Sequence, residues 1–314
     1  MDSSPTLLAD RFKLLRRLKP HMPLPIYLAE DQEDLKEVVI KLEAKNCRHQ
    51  RLLHEYKQLT RLQGSPGVPT VKWFGGTEGH NVLVTELLGP SLQELYLYCG
   101  RRFSLKTVLL LAEQMIARVE LCHAFDYVHR AIKPGHFLIG RDTSAHLVYL
   151  IGLDDCKRYR ESATQTHISY SEGHKSICEA RFSSINRLMG IQPSRRDDLE
   201  SLGYLFVFFL CSGLPWDQRM SQNPRNASQI ALETKTNTPT EELCRTTPRE
   251  FALYLNYCRG LRFDMQPDYA YLRRMFREVF ERENYREDFL YDWTVFNYVR
   301  GRQNRRKERE RLEA

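Results

Sequence analysis

Short apolar, β-branched runs punctuate the first ninety residues. EVVIKLEA, from Glu37 to Ala44, is bounded by charge and reads as a strand, and HNVLVTELL, from His80 to Leu88, reads as another. Between them RHQRLLHEYKQLTRLQG has helical spacing: Leu52, Leu53, Tyr56, Leu59 and Leu62 share one side, and Gly64 supplies a stop. GPS, from Gly89 to Ser91, breaks the pattern, and the chain beyond it is mainly helical. Ser104 stands as an N-cap before SLKTVLLLAEQMIARVELCHAF, which carries a long apolar face. Further helices are expected around RRDDLESLGYLFVFFLC, PREFALYLNYCRG and PDYAYLRRMFREVFERE. The expected class is α+β: a small strand-rich lobe with one main helix over 1–88, then a larger helical lobe over 89–299. A cleft between such lobes is the default ligand site.

At 314 residues, 42% hydrophobic and 28% charged, the chain has the composition of a folded protein rather than a disordered one. Its most apolar stretch, YLFVFFL, is far too short to span a bilayer and reads as buried core. No apolar run follows a basic start, so no secretory signal is expected, and a cytoplasmic or nuclear location is. The eight cysteines form no C-x-x-C pair, which argues against zinc and for free thiols. The net charge of +7 is unevenly spread: the tail 300–314 holds seven basic and three acidic residues, a net +4. The nearly balanced remainder argues against nucleic acid as the main ligand. The tail mixes signs and is expected to be a solvated helix.

One stretch changes the picture. VHRAIKPGHFLIG, from Val128 to Gly140, is framed like a phosphoryl-transfer loop, with His129 and Arg130 followed by Lys133 and Pro134. Around it lie LLGPSL, SLKTVLLLAEQMI, SRRDDLESLGY, LPW, PREFALYLNYCRGLRFDMQPDYAYLRRMF and YDWT. Together these resemble the casein kinase I group of protein Ser/Thr kinases, from about Arg11 to about Val299. The resemblance implies the bilobal protein-kinase fold. It does not by itself imply the activity.

Phosphoryl transfer needs backbone donors over the phosphates, a lysine on them, two metal ions, and an aspartate at the acceptor hydroxyl. By resemblance Lys41 matches the strand lysine and Glu55 the helix glutamate that pairs with it. Val39, Thr85, Glu86, Leu88, Leu138 and Ile151 match a nucleotide pocket, here vestigial; Val39 adds bulk where the family has alanine. The glycine loop is replaced by LKPHMPLPIYL, in which Lys19, His21 and Leu24 stand at glycine positions. Pro20, Pro23 and Pro25 offer no N–H to a phosphate. Ala131 stands where the family has its catalytic aspartate, and losing a general base costs ~10²–10⁴ in rate. His136 replaces a metal-binding asparagine, and Gly152 the metal-binding aspartate. Asp154 and Asp155 come two and three residues later and are expected to face solvent; a transition-metal pair of His136 with Asp154 is weaker still. Asp198, which braces the catalytic loop in the family, is retained. Glu179 adds negative charge where the family has threonine.

On the substrate side, Arg181 matches one member of the family's anion site. Asp217 and Ala227 replace two others, with Arg225 as a possible compensation, so the site is expected to be weakened. Arg195 and Arg196 are expected to be structural. The leading expectation is a casein kinase I-like pseudokinase: a monomeric, non-catalytic scaffold or decoy that meets protein partners shared with active relatives. It needs no cofactor, its magnesium site is lost, and its ATP binding is doubtful. The alternative is an active Ser/Thr kinase working on acidic or primed substrates through Lys41, Lys133 and the Asp154–Asp155 pair. Metal-free nucleotide binding as a stability switch and nucleic-acid binding through the tail are weaker options.

Overall fold

The computed structural model describes residues 7–18, 24–174 and 179–297. The chain is α+β and divides into two compact units. One comprises Met1–Gly89 with Leu138–Cys156, the other Pro90–Phe137 with Lys157–Ala314.

The first unit is built on an antiparallel sheet of β1 (Phe12–Leu18), β2 (Ile26–Asp31), β3 (Glu37–Ala44), β4 (Val71–Thr77) and β5 (His80–Glu86), in the order β1-β2-β3-β5-β4. Phe12, Ala29, Val38, Ile40, Val82 and Val84 form its buried core, with Leu8, Tyr27, Leu42 and Trp73 packed against them. Helix α1 (Arg51–Leu62) buries Leu52, Leu59 and Leu62. Leu53 and Tyr56, expected on the same side, are only half-buried, while Glu55 and Gln58 are buried. The apolar stripe is therefore narrower than the leucine spacing suggests, and two polar residues take places in it. Gly64 ends the segment at φ +82°, a conformation that costs glycine nothing.

Residues 138–156 join this unit through local contacts. Gly89 N–H donates to the Ile139 carbonyl at 2.9 Å, and a Cβ on Gly89 would lie 2.9 Å from the Gly140 carbonyl oxygen. Leu150 N–H donates to the Gly67 carbonyl at 3.0 Å. The short strands β7 (Phe137–Ile139) and β8 (Val148–Leu150) pair with each other.

The second unit is helical. It holds α2 (Leu92–Tyr98), α3 (Leu105–Ala124), α4 (Ile185–Leu188), α5 (Arg195–Cys211), α6 (Asp217–Gln222), α7 (Ala227–Asn237), α8 (Thr240–Leu243), α9 (Arg249–Gly260) and α10 (Tyr269–Arg282). A two-residue ribbon pairs β6 (Tyr127–Val128) with β9 (Lys157–Arg158). Ser104 caps α3 as its sequence indicates, accepting from Thr107 N–H at 3.3 Å. The apolar run of α5 is buried almost throughout, as a helix enclosed by α3 and α9 must be. Its Phe206 meets Tyr254 of α9 edge-on at 5.6 Å and Phe276 of α10 at 5.5 Å. No helix among the described residues is long and apolar enough to cross a membrane.

Candidate functional site

In the first unit, alternation along β3 sorts its residues by face. Val38 and Ile40 enter the sheet core; Val39, Lys41 and Glu43 lie on the other face. Lys41 Nζ donates to Glu55 Oε1 of α1 at 2.6 Å, and the Glu55 side chain is 4% exposed. Glu43, two residues on, accepts from Leu52 N–H at 3.2 Å. It caps a helix whose own N-cap residue, Gln50, makes no side-chain cap bond. The strand therefore holds α1 twice, by a cap at its first turn and by an ion pair one turn later. The expected pairing of Lys41 with Glu55 is present in geometry.

The other residues assigned to a nucleotide pocket in this unit lie on β5, in the segment just after it, on β7 and just after β8. Val39 pairs across strands with Thr85, which is 7% exposed. Leu88, Leu138 and Ile151 are half-buried. Glu86 is engaged locally, its Oε1 accepting from Thr70 N–H at 2.7 Å. Residues 19–23, which include Lys19, Pro20, His21 and Pro23 of the replaced glycine loop, lie outside the described residues.

Gly152 adopts φ +81° and opens a 3₁₀ turn over Leu153–Asp155, in which Leu153 is 2% exposed. Asp154 and Asp155 were expected to face solvent, and the Asp154 side chain is 32% exposed. Both are half-buried on a turn packed against α1, and Asp154 Oδ2 lies 4.0 Å from Arg51 Nη1 at the start of that helix. His54 Nε2 donates to the Cys156 carbonyl at 2.9 Å, fixing the far end of the turn.

In the second unit Asp198 organises the 129–136 loop. Its Oδ2 accepts from His129 N–H at 2.6 Å and from His123 Nε2–H at 3.0 Å, and its Oδ1 from Arg130 N–H at 2.9 Å. Burial alone would raise its pKa. The hydrogen bonds from His123 Nε2–H and from the His129 backbone N–H outweigh that and hold it below the usual aspartate value. Since His123 Nε2 donates, its Nδ1 accepts from Tyr269 O–H at 2.7 Å in the neutral ring. Arg130 sits at φ +64°, and Ala131 N–H donates to His129 Nδ1 at 3.2 Å. At position 131 only a methyl group projects. His136 donates through Nδ1 to the Ala131 carbonyl at 2.8 Å, which commits that nitrogen to the loop. Lys133 is half-buried, just before the 3₁₀ turn at Pro134–His136.

The anion-site residues are also engaged. Arg181 Nε lies 2.9 Å from Asp217 Oδ1, and the same carboxylate accepts from Leu214 N–H through Oδ2 at 3.0 Å. Trp216 Nε1 donates to the Arg181 carbonyl at 2.9 Å. Lys235 is fully buried, donating to the Ala180 and Ser183 carbonyls at 2.9 and 2.6 Å, with its ammonium 4.7 Å from the Trp216 ring centroid. Arg195 and Arg196 hold backbone carbonyls, those of Asp264 and Leu261. Glu179 and Arg225 are exposed and Ala227 is half-buried, and the carbonyl of Glu179 accepts from Ser183 Oγ.

Among the described residues no group of three or more His, Cys, Asp or Glu side chains is placed to hold a metal ion. Sequence reasoning missed the cap made by Glu43, the His123–Asp198–Tyr269 network and the engagement of Arg181 by Asp217. Only the last had a legible signal, an acid placed next to Trp216. The chain matches no protein-family model.

Proposed function

We propose that this protein is a casein kinase I-like pseudokinase that acts by binding other proteins rather than by transferring phosphate. The observation that carries the reading is the engagement of the groups an altered mechanism would have to recruit. Asp154 lies beside Arg51 with its turn packed on α1, His136 Nδ1 is committed to the Ala131 carbonyl, and Arg181 is paired with Asp217 at 2.9 Å. Residues that brace the frame, Lys41 with Glu55 and Asp198 with the His129 and Arg130 amides, keep their partners. A chain that retains bracing residues while its reactive positions are replaced presents a surface, not a reaction. Its partners in this reading are proteins that also meet active relatives, as substrates or as binding partners.

The test is a thermal-shift titration with ATP, with and without magnesium, on the natural chain and on Lys41→Ala, run beside phosphate incorporation into casein. The expected result is no magnesium-dependent shift and no incorporation above the Lys41→Ala background. Magnesium-dependent transfer that Asp154→Asn abolishes would instead establish an active Ser/Thr kinase of altered mechanism.

A further inference from the structure

The hairpin that follows β9 in the second unit is fastened by one imidazole. Ile168 N–H donates to the Tyr159 carbonyl at 2.7 Å, Glu161 N–H donates to the Thr166 carbonyl at 3.0 Å, and Arg160 and His167 form the bridge between these two bonds. His167 Nδ1 lies 2.9 Å from the Ile168 carbonyl, which can only accept. The ring proton is therefore on Nδ1, and Nε2 carries a bare lone pair. That nitrogen is buried, and no described residue donates to it. The ring stands in an aromatic slot. It meets Phe263 edge-on at 4.9 Å and Tyr159 at 5.3 Å. Tyr159 is a fixed wall, 1% exposed, with its hydroxyl donating to the His123 carbonyl at 2.8 Å.

The charges around the slot are mainly positive. Arg195 of α5 lies over the Tyr159 ring at 4.6 Å and donates through Nη2 to the Asp264 carbonyl at 2.6 Å. Arg196 lies over the Phe263 ring at 6.0 Å, and Arg160 is bound to Asp126. Of the acids, Asp126 is committed to Arg160 and Ser162, and Asp264 is exposed. The phenols of Tyr159 and Tyr170 stay protonated, since burial of the first and the Glu172 partner of the second both disfavour ionisation. A second ring proton, on Nε2, would be a buried donor with no acceptor. Burial, with Arg195 and Arg160, therefore holds the imidazole below its ordinary value of 6.5, against the opposite pull of the Ile168 carbonyl and Asp264.

We propose that His167 is an acid-released latch: neutral, it holds the 159–168 hairpin closed, and on protonation it leaves the aromatic slot for water and frees the returning arm. The closed hairpin refuses a proton that the open one accepts. Closure is therefore complete above pH 6.5 and weakens as pH falls below that value. The effect is local, because the bonds released are those of one hairpin and not of the helices beneath it.

The test is amide hydrogen exchange on the full chain, read residue by residue between about pH 7.5 and pH 5 and expressed as protection, so that the intrinsic pH dependence of exchange cancels. Protection of the Ile168 and Glu161 amides is expected to fall about tenfold relative to Met115 and Val119 in the buried helix α3. His167→Phe keeps a ring in the slot but cannot take a proton, and its hairpin should show the same protection at both ends of the range. His167→Gln, which has no ring to fit, should be equally insensitive to pH. In the natural chain the His167 ring signal should titrate below 6.5. Protection that does not change with pH would overturn the proposal. A fall of equal size in the α3 amides would do so too, since it would mean global acid unfolding. So would a fall that persists in both variants, which would assign it to Asp126 or Asp264. A ring signal titrating at or above 6.5 would mean that the imidazole already meets water, and the latch would be excluded.

Discussion

Two loops of this chain, 129–136 and 152–156, are held on their paths in different ways. In the 129–136 loop the backbone is held from outside by Asp198, which takes the His129 and Arg130 amides. Neither the Ala131 nor the His136 side chain takes part in that hold. In the 152–156 loop the backbone is held by its packing on α1 and by the left-handed turn at Gly152. There the residue at position 152 is itself part of the frame. A loop braced from elsewhere depends little on its own side chains for its path, whereas a loop that turns on its own residue needs one suited to the turn.

The comparison breaks most visibly at Asp198. Asp198→Ala leaves two buried amides and the His123 Nε2–H without their acceptor, and should cost about 4 kcal/mol in urea unfolding. A loss under about 1 kcal/mol would mean that the 129–136 loop keeps its path unaided. Lys41→Ala comes next. It strands the nearly buried Glu55 carboxylate and should cost about 3 kcal/mol, while Lys41→Met/Glu55→Leu should lie within about 1 kcal/mol of the natural chain. If the double change cost as much as the single one, the pair would be holding α1 by more than charge.

How far the sequence was legible tracks the same division. The strand Glu37–Ala44 and the Ser104 cap are local patterns, written in alternation and in one side chain, and the structure has both. Glu43 as the cap of α1 is not local. Its signal is an acid in a strand, and nothing at Gln50 or Arg51 indicates where that acid reaches. Asp154 and Asp155 show the same limit: adjacent acids carry no mark of the helix their turn packs against. His123 sits at the end of an amphipathic helix, and its two partners lie 75 and 146 residues further along the chain.

Asp197 and Asp198 are neighbours with opposite shifts, which gives a third and smaller test. Burial raises both, but for Asp197 the donors Ser184 Oγ–H and Ser194 N–H and the Arg196 guanidinium 3.9 Å away do not offset it, with Glu200 nearby, and its pKa is pushed up to about 6. A carboxyl whose folded pKa exceeds its unfolded value of 3.8 stabilises the protein below that lower value, and the contribution is lost as pH rises through about 6. Asp198, held low, contributes in the opposite sense, losing stability as pH falls below the ordinary aspartate range. Unfolding free energy should therefore decline by on the order of 2 kcal/mol from Asp197 between about pH 4 and pH 6. Asp197→Asn should flatten that slope whatever it does to the absolute stability. An unchanged slope would assign the decline to another group.

The smallest effect separates the two loops at their glycines. Gly152 lies at φ +81°, a conformation that an alanine Cβ disfavours, so Gly152→Ala should cost about 1 kcal/mol. Gly135 has no positive φ, and a Cβ built there meets nothing within 4 Å. Gly135→Ala should therefore be neutral, or stabilising by about 0.5 kcal/mol through the unfolded chain. Urea midpoints of the two variants, measured side by side, decide the matter. Equal losses would mean that the 129–136 loop also turns on its own residues, and bracing by Asp198 would no longer explain why that loop keeps its path with alanine at position 131.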